Sequence, residues 1–263
     1  MSNMKNFGGL AQVGTLLTLV SLGVVVPLGM AIPASASIES QSASAMVAEA
    51  SAAMTKAGSV TAAGHGEVTI PGVGKVNLVE SDYAGSSAGS QVLKTTATHA
   101  HNGTPLPSAS TLDVDGALYV DANEAFWSTS VGLAATDAAL VADKWVQIPN
   151  SSPIYTPAAD DLTMSTLTQD LFDAQTYRKG PVETIDGVRT VKITYTNAGT
   201  DAGPATCYLA VGGRHLPVSV TIGGLALRLS SWGETRTVTA PQGAVLLPTN
   251  LTPAASSGSN DST

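Results

Sequence analysis

The stretch "SVTIGGLALRL", residues 219–229, decides the reading of this chain. Val220 and Ile222 alternate with Ser219 and Thr221. Two glycines follow, and then Leu225, Leu227 and Leu229 alternate with Ala226, Arg228 and Ser230. A period of two with a Gly-Gly interruption predicts a β-hairpin with one apolar and one polar face. A second turn signal, Gly212-Gly213, lies just upstream in "YLAVGGRHLPV". Treated as a two-residue turn, it sets Leu209 opposite Leu216 and Cys207 opposite Val218. Around Gly223-Gly224, Ile222 faces Leu225, Val220 faces Leu227 and Val218 faces Leu229. Both turns place these residues on one face and leave Tyr208, His215, Ser219, Thr221, Arg228 and Ser230 on the other.

The pattern continues outward. Val191, Ile193 and Tyr195 alternate with Lys192, Thr194 and Thr196 behind an Asp186-Gly187 turn, and Asp115-Gly116 marks another hairpin. Val- and Thr-rich stretches at 59–70, 75–83 and 90–101 read as strands. Residues 38–57 read as a helix closed by Gly58, with Met46, Val47, Ala50, Ala53, Met54 and Ala57 on one face. A second helix opens at Thr156-Pro157, with Asp160 and Asp161 in its first turn and Met164, Leu167, Leu171 and Phe172 on one side. A shorter helical piece, "VGLAATDAALV", precedes Trp145. Strands and helices are segregated, so the class is α+β, with helices on one face of an antiparallel sheet.

The ends carry different information. Lys5 is followed by no charge until Glu39, residues 10–32 are almost continuously apolar, and Ala34-Ser35-Ala36 offers a small-x-small cleavage site. Residues 1–36 therefore read as a secretory signal, the alternative being an uncleaved anchor of bilayer-spanning length. Residues 37–247 form the domain, and 248–263 a polar, disordered tail. The expected location is extracellular or in the cell envelope. The net charge of −8, with basic residues scattered singly, argues against nucleic acid as a partner. Cys207 is the single cysteine, so no disulfide forms within the chain, and on the apolar face it reads as a buried small hydrophobe. Trp127, Trp145 and Trp232 read as packing anchors.

Chemical motifs are sparse. "GSSAG" centres Ser87 in a nucleophile-elbow pattern, but a Thr-rich strand follows where a helix is required. His99 and His101 share one side of a strand, with His65 and His215 distant in sequence and no third ligand at metal-binding spacing. Asp113, Asp115 and Asp121 flank a tight turn and lack a calcium loop. No cofactor, metal or catalytic residue is expected, and the chain reads as a non-enzyme.

Several segments resemble a known family. "MVAEASAAMTKAGSVTAAGHGEV" (46–68) resembles the opening helix and first strand of actinobacterial envelope proteins of the LppX/LprG type. "VDGALYVDA", "DKWVQIP", "VETIDGVRTVKITYT" and "YLAVGGRHLPVSVTI" resemble their later strands, so the likeness spans about residues 43–241. It implies a LolA-like fold, a curved antiparallel half-barrel with helices covering the concave face. It also implies an apolar space that binds lipid or lipoglycan acyl chains, and a partner in the envelope that donates, accepts or transports the lipid. Many members carry a lipid-attachment cysteine at the cleavage site, and this chain has none. The expected cavity wall is Val191, Ile193, Tyr195, Leu209, Val218, Val220, Leu227 and Leu229. Two alternatives use the same sequence: an envelope interaction or sensor module with a filled core, and a hydrolase acting through Ser87.

Overall fold

The computed structural model describes residues 38–70, 74–85, 91–97, 105–114, 116–152, 155, 164–172, 174, 176–196 and 204–248. The expected signal segment, residues 249–263 of the polar tail, Ser87, His99, His101, Asp115, and Thr156 to Asp161 lie outside them. Twelve strands among the described residues form one sheet: β1 (Ser59–Ile70), β2 (Gly74–Gly85), β3 (Gln91–Ala97), β4 (Ala109–Val114), β5 (Ala117–Ala122), β6 (Trp145–Ile148), β7 (Tyr177–Ile185), β8 (Val188–Thr196), β9 (Pro204–Ala210), β10 (Pro217–Ile222), β11 (Leu225–Ser230) and β12 (Val245–Leu246). Their order is β12-β6-β5-β4-β3-β2-β1-β11-β10-β9-β8-β7. Every pairing is antiparallel except the short β12–β6 pair. The helices are α1 (Ala43–Ala57), α2 (Ala135–Val141) and α3 (Met164–Phe172). The class is α+β, as the segregation of the two periodicities predicts.

Helix α1 starts later than the sequence pattern suggests. A 3-10 turn occupies Ile38–Ser40, and Ser42 then caps α1 by accepting from the Ala45 N–H at 3.2 Å. Gly58 ends the helix at φ 74°, a left-handed conformation that glycine enters freely, and its N–H donates to Met54 O. The helix buries the expected face: Met46, Val47, Ala50 and Met54 are sealed, with Ala53 and Ala57 beside them.

Four hairpin turns were expected, and three keep two residues. Val114 pairs with Ala117, Ile185 with Val188 and Ile222 with Leu225. The fourth, around Gly212-Gly213, is longer. Strand β9 stops at Ala210 and β10 starts at Pro217, with Ala210 N donating to Leu216 O. Leu209 therefore pairs with Pro217, not Leu216. A β-bulge between Pro217 and Ser219 then moves the register again, so Cys207 pairs with Val220, not Val218. The β10–β11 ladder starts at Ser219 opposite Arg228, so the expected Val218–Leu229 pair is not part of it. The two one-residue shifts add to a full period of two. Cys207, Leu209 and Val220 thus keep the expected face, and Val218 sits half-buried at the bulge.

A close backbone approach marks the β1–β11 seam. Alternate residues 60, 62, 64 and 66 of β1 share the inner face and read Val, Ala, Gly, Gly. Side-chain volume therefore tapers to nothing along the strand. A Cβ on Gly64 would lie 1.9 Å from Ala226 O, and one on Gly66 2.1 Å from Gly224 O. The backbone of β11 occupies the space a side chain would fill, which lets the sheet fold over along this line. At the far edge, Cα atoms of β7 come within 8 Å of α1, so that edge rises beside the helix. The sheet is a curved wall, open at the edges β7 and β12, with helices on its concave side.

The opposite face is covered by an irregular strap after β11, a feature the hydrophobic pattern does not announce. Gly233 N donates to Ser59 O at 2.9 Å, and Ser59 Oγ to Glu234 O at 2.8 Å. Tyr83 Oη donates to Glu234 O and accepts from Arg236 N at 2.8 Å, while the Arg236 guanidinium lies 5.3 Å from the Tyr83 ring centre. Val238 and Ala244 then cover Leu112, Val114, Tyr119 and Trp145, and the strap ends as β12 on β6.

The seam predicts an asymmetric glycine response. Gly64→Ala or Gly66→Ala drives a methyl into backbone and loses at least about 1–3 kcal/mol of stability, the ordinary cost of overpacking. Gly212→Ala meets nothing within 4 Å and changes stability by less than about 0.5 kcal/mol. Urea unfolding of the three variants checks this, and equal effects at all three sites contradict the seam.

Candidate functional site

The concave face divides into two buried clusters. The larger joins β7–β11 and β1 to α1 and α3: Val60, Val191, Ile193, Leu209, Val220 and Leu229 meet Met46, Met54, Met164 and Leu171. The smaller joins β5 and β6 to α2 and a π-helical turn, Phe126–Ser130, around the fully buried Trp127. Six adjacent strands supply the first cluster. At about 4.8 Å per strand they span about 24 Å, more than one helix of about 10 Å covers. Two helices therefore lie side by side over this wall, α1 through an Ala/Met face and α3 through Met164, Leu167, Leu171 and Phe172.

Six of the eight expected wall residues fall in this cluster: Val191, Ile193, Tyr195, Leu209, Val220 and Leu229. Leu227 is buried on the same face of β11 but outside the cluster, opposite Gly64 at the seam. Val218 is at the bulge. Val191, Ile193, Leu209 and Val220 have no solvent-accessible surface, so the helices seal this wall.

Polar contacts ring the seal. Glu39 Oε1 pairs with Arg189 Nη1 at 2.6 Å, and Lys179 Nζ donates to Glu39 O. On the next turn of the rim, Gln41 Nε2 donates to Glu49 Oε2 at 3.0 Å. Glu49 Oε1 lies 3.5 Å from His215 Nε2, and His215 Nδ1 lies 3.0 Å from Ala210 O. These contacts tie the start of α1 to β7, β8 and the β9–β10 turn. Partly exposed pairs of this kind each contribute about 0–1 kcal/mol and are screened by salt. Sequence reading did not find this rim, since its members are scattered from residue 39 to residue 215.

Two ionisable groups lie inside the seal. Cys207 is fully buried, and burial pushes its thiol well above the ordinary value of 9.0. Tyr195 is shifted in the same direction from 10.0, first by burial and then by the neighbouring Cys207 and Tyr177. A raised thiol is a poor nucleophile, so Cys207 is a packing residue. No group of three or more His, Cys, Asp or Glu side chains able to hold a metal occurs among the described residues. His65 is exposed on the outer side of β1. No described helix is long and apolar enough to cross a membrane.

No family model matches the chain, and no curated protein matches it. Solved structures do match. LprF from Mycobacterium bovis is 17% identical, with 76% of this chain and 96% of that one covered and a TM-score of 0.46. The Mycobacterium tuberculosis lipoprotein LppX is 19% identical over 74% of this chain and 99% of its own, with a TM-score of 0.39. A LolA superfamily protein from Nitrosomonas europaea is 10% identical over 73% and 93%, with a TM-score of 0.28.

The buried acids predict alkaline destabilisation. In the unfolded chain the thiol and phenol ionise near 9.0 and 10.0, whereas the fold keeps both protonated. Their contribution is complete below about pH 8 and is lost as pH rises past these values. Urea midpoints should fall between pH 8 and pH 10.5, and Cys207→Ala should make that fall shallower. An unchanged slope contradicts the burial of the thiol.

Proposed function

We propose that this chain is an exported carrier of the cell envelope, extracellular or envelope-associated, that binds an amphipathic lipid between the concave face of its sheet and the helices α1 and α3. The observation that carries the reading is the composition of that interface. An apolar wall on six strands is covered by the alanine- and methionine-rich face of α1, residues that are small or adapt readily to irregular apolar shapes, and by Met164, Leu167, Leu171 and Phe172 of α3. The sequence resemblance points the same way, and the signal-like segment at 1–36 agrees with export. Binding is driven by transfer of acyl chain from water, about 0.8 kcal/mol per CH₂. A lipid donor, acceptor or transporter in the envelope is the expected partner, and no catalytic step is involved.

The sealed wall sets the mechanism. With Val191, Ile193, Leu209 and Val220 closed to solvent, a chain enters only when α1 or α3 moves away. The rim around α1 is polar and exchangeable, whereas its underside is apolar. Opening therefore breaks weak ion pairs and exposes apolar surface that an incoming acyl chain covers again. Any head group beyond the acyl carbonyl stays at the rim.

The same sealing favours a second reading. A core closed to solvent is what an interaction or sensor module with a filled interior requires. Lipid uptake separates the two readings. If α1 is the cover, a fluorescent fatty acid binds, and Arg189→Gln or an increase from 20 mM to 0.5 M sodium chloride speeds uptake about threefold by weakening the rim, an effect of about 0.6 kcal/mol. Absence of uptake under all conditions favours the filled module.

A further inference from the structure

Two tyrosines face each other across β7 and β8, and among the described residues only one finds a partner for its hydroxyl. Tyr177 and Tyr195 are direct cross-strand partners with ring centres 5.5 Å apart, and the Phe172 ring lies 6.3 Å from Tyr195. Tyr177 Oη donates to Phe172 O and accepts from Ala174 N at 3.2 Å, which closes the C-terminal end of α3. Tyr195 is only 4% exposed, and its hydroxyl has no hydrogen-bond partner among the described residues. It lies in the larger apolar cluster, beneath α3 and on the same sheet face as Cys207.

A buried hydroxyl without a partner is unfavourable, since it loses water and gains nothing in return. Phenylalanine would fill the same volume without that penalty. Burial also raises the phenol's pKa, so the group remains a proton donor throughout the physiological range. The result is a fixed donor inside an otherwise apolar wall, at the sheet–helix interface.

We propose that the Tyr195 hydroxyl is a ligand-registering donor: it binds an acceptor oxygen of a carboxyl or acyl-ester group while the hydrocarbon chain lies along Ile193, Leu209 and Val220. The ligand class is then a fatty acid or an acyl ester, in preference to a hydrocarbon. This inference rests on the lipid-carrier reading and adds to it a polar specificity element that the apolar pattern lacks. The donor fixes how deep the carbonyl end sits, and chain length sets how much of the wall is used.

The test uses the full chain, wild type and Tyr195→Phe, with two fluorescent probes. Parinaric acid carries a carboxyl group, and diphenylhexatriene carries no polar atom. Tyr195→Phe should weaken parinaric acid about tenfold, which is about 1.4 kcal/mol. Diphenylhexatriene binding should stay within about twofold, and the melting temperature should equal or exceed that of wild type, because an unsatisfied hydroxyl has been removed. Unchanged parinaric acid affinity, or equal loss for both probes, overturns the inference and leaves the carrier reading standing. A melting temperature well below wild type also overturns it, since the hydroxyl then has a structural partner. Failure of wild type to bind either probe overturns both.

Discussion

The backbone contact between β1 and β11 governs the rest of the molecule. At Gly64 and Gly66 the neighbouring strand lies where a side chain would be. The inner face of β1 shrinks from Val60 through Ala62 to these glycines, so the sheet turns over along one line and does not extend flat. That turn sets β7–β11 facing α1 and α3. A flat sheet of twelve strands would leave much of its apolar side bare, and such a surface in water invites association. Folding over brings a single wall and two helices into one cluster. It also leaves the opposite face of β1–β6 needing a cover, which the strap from Trp232 to Leu246 supplies through Glu234, Arg236, Val238 and Ala244.

Much of the local structure was legible in the sequence for simple physical reasons. The Asp186-Gly187 and Gly223-Gly224 turns need positive φ at both central residues, and glycine beside glycine or aspartate supplies it. The α1 face was readable because Met46, Val47, Ala50, Ala53, Met54 and Ala57 repeat at helical spacing. The β9–β10 connection was not readable in the same way. A Gly-Gly pair is compatible with a two-residue turn, but Pro217 and the left-handed His215 select a longer one. The bulge at Val218 then compensates. Period-two reasoning therefore kept the correct face for Cys207 and Val220, and the Val220–Leu227 pair, while giving Cys207 the wrong partner. A register error of two residues is invisible to any argument from alternation alone.

The parts that were missed share one property: they depend on contacts between residues far apart in sequence. The strap has no hydrophobic period. The rim joins Glu39, Glu49, Lys179, Arg189 and His215. The parallel pairing of β12 with β6 follows from where the strap ends. One missed feature did carry a signal. "AAGHGE" places two glycines at the spacing of one sheet face, the mark of a close backbone approach. For the candidate site, the sequence supplied the wall but not its state. Apolar alternation is the same whether helices are packed flush against the wall or a ligand lies between them. The structure has them flush, which makes helix displacement part of any carrier mechanism and turns the Tyr195 hydroxyl into a feature of the interior.

The central claim is that an acyl chain occupies the interface between this sheet and its helices. Native mass spectrometry of the full chain, purified without detergent from its native cells, tests that claim most directly. The account predicts a population heavier than the polypeptide by the mass of an acylated lipid, with the excess lost on collisional activation as a fatty acid or acyl ester. A single bare polypeptide mass, together with no gain in mass after incubation with lipid vesicles, contradicts it.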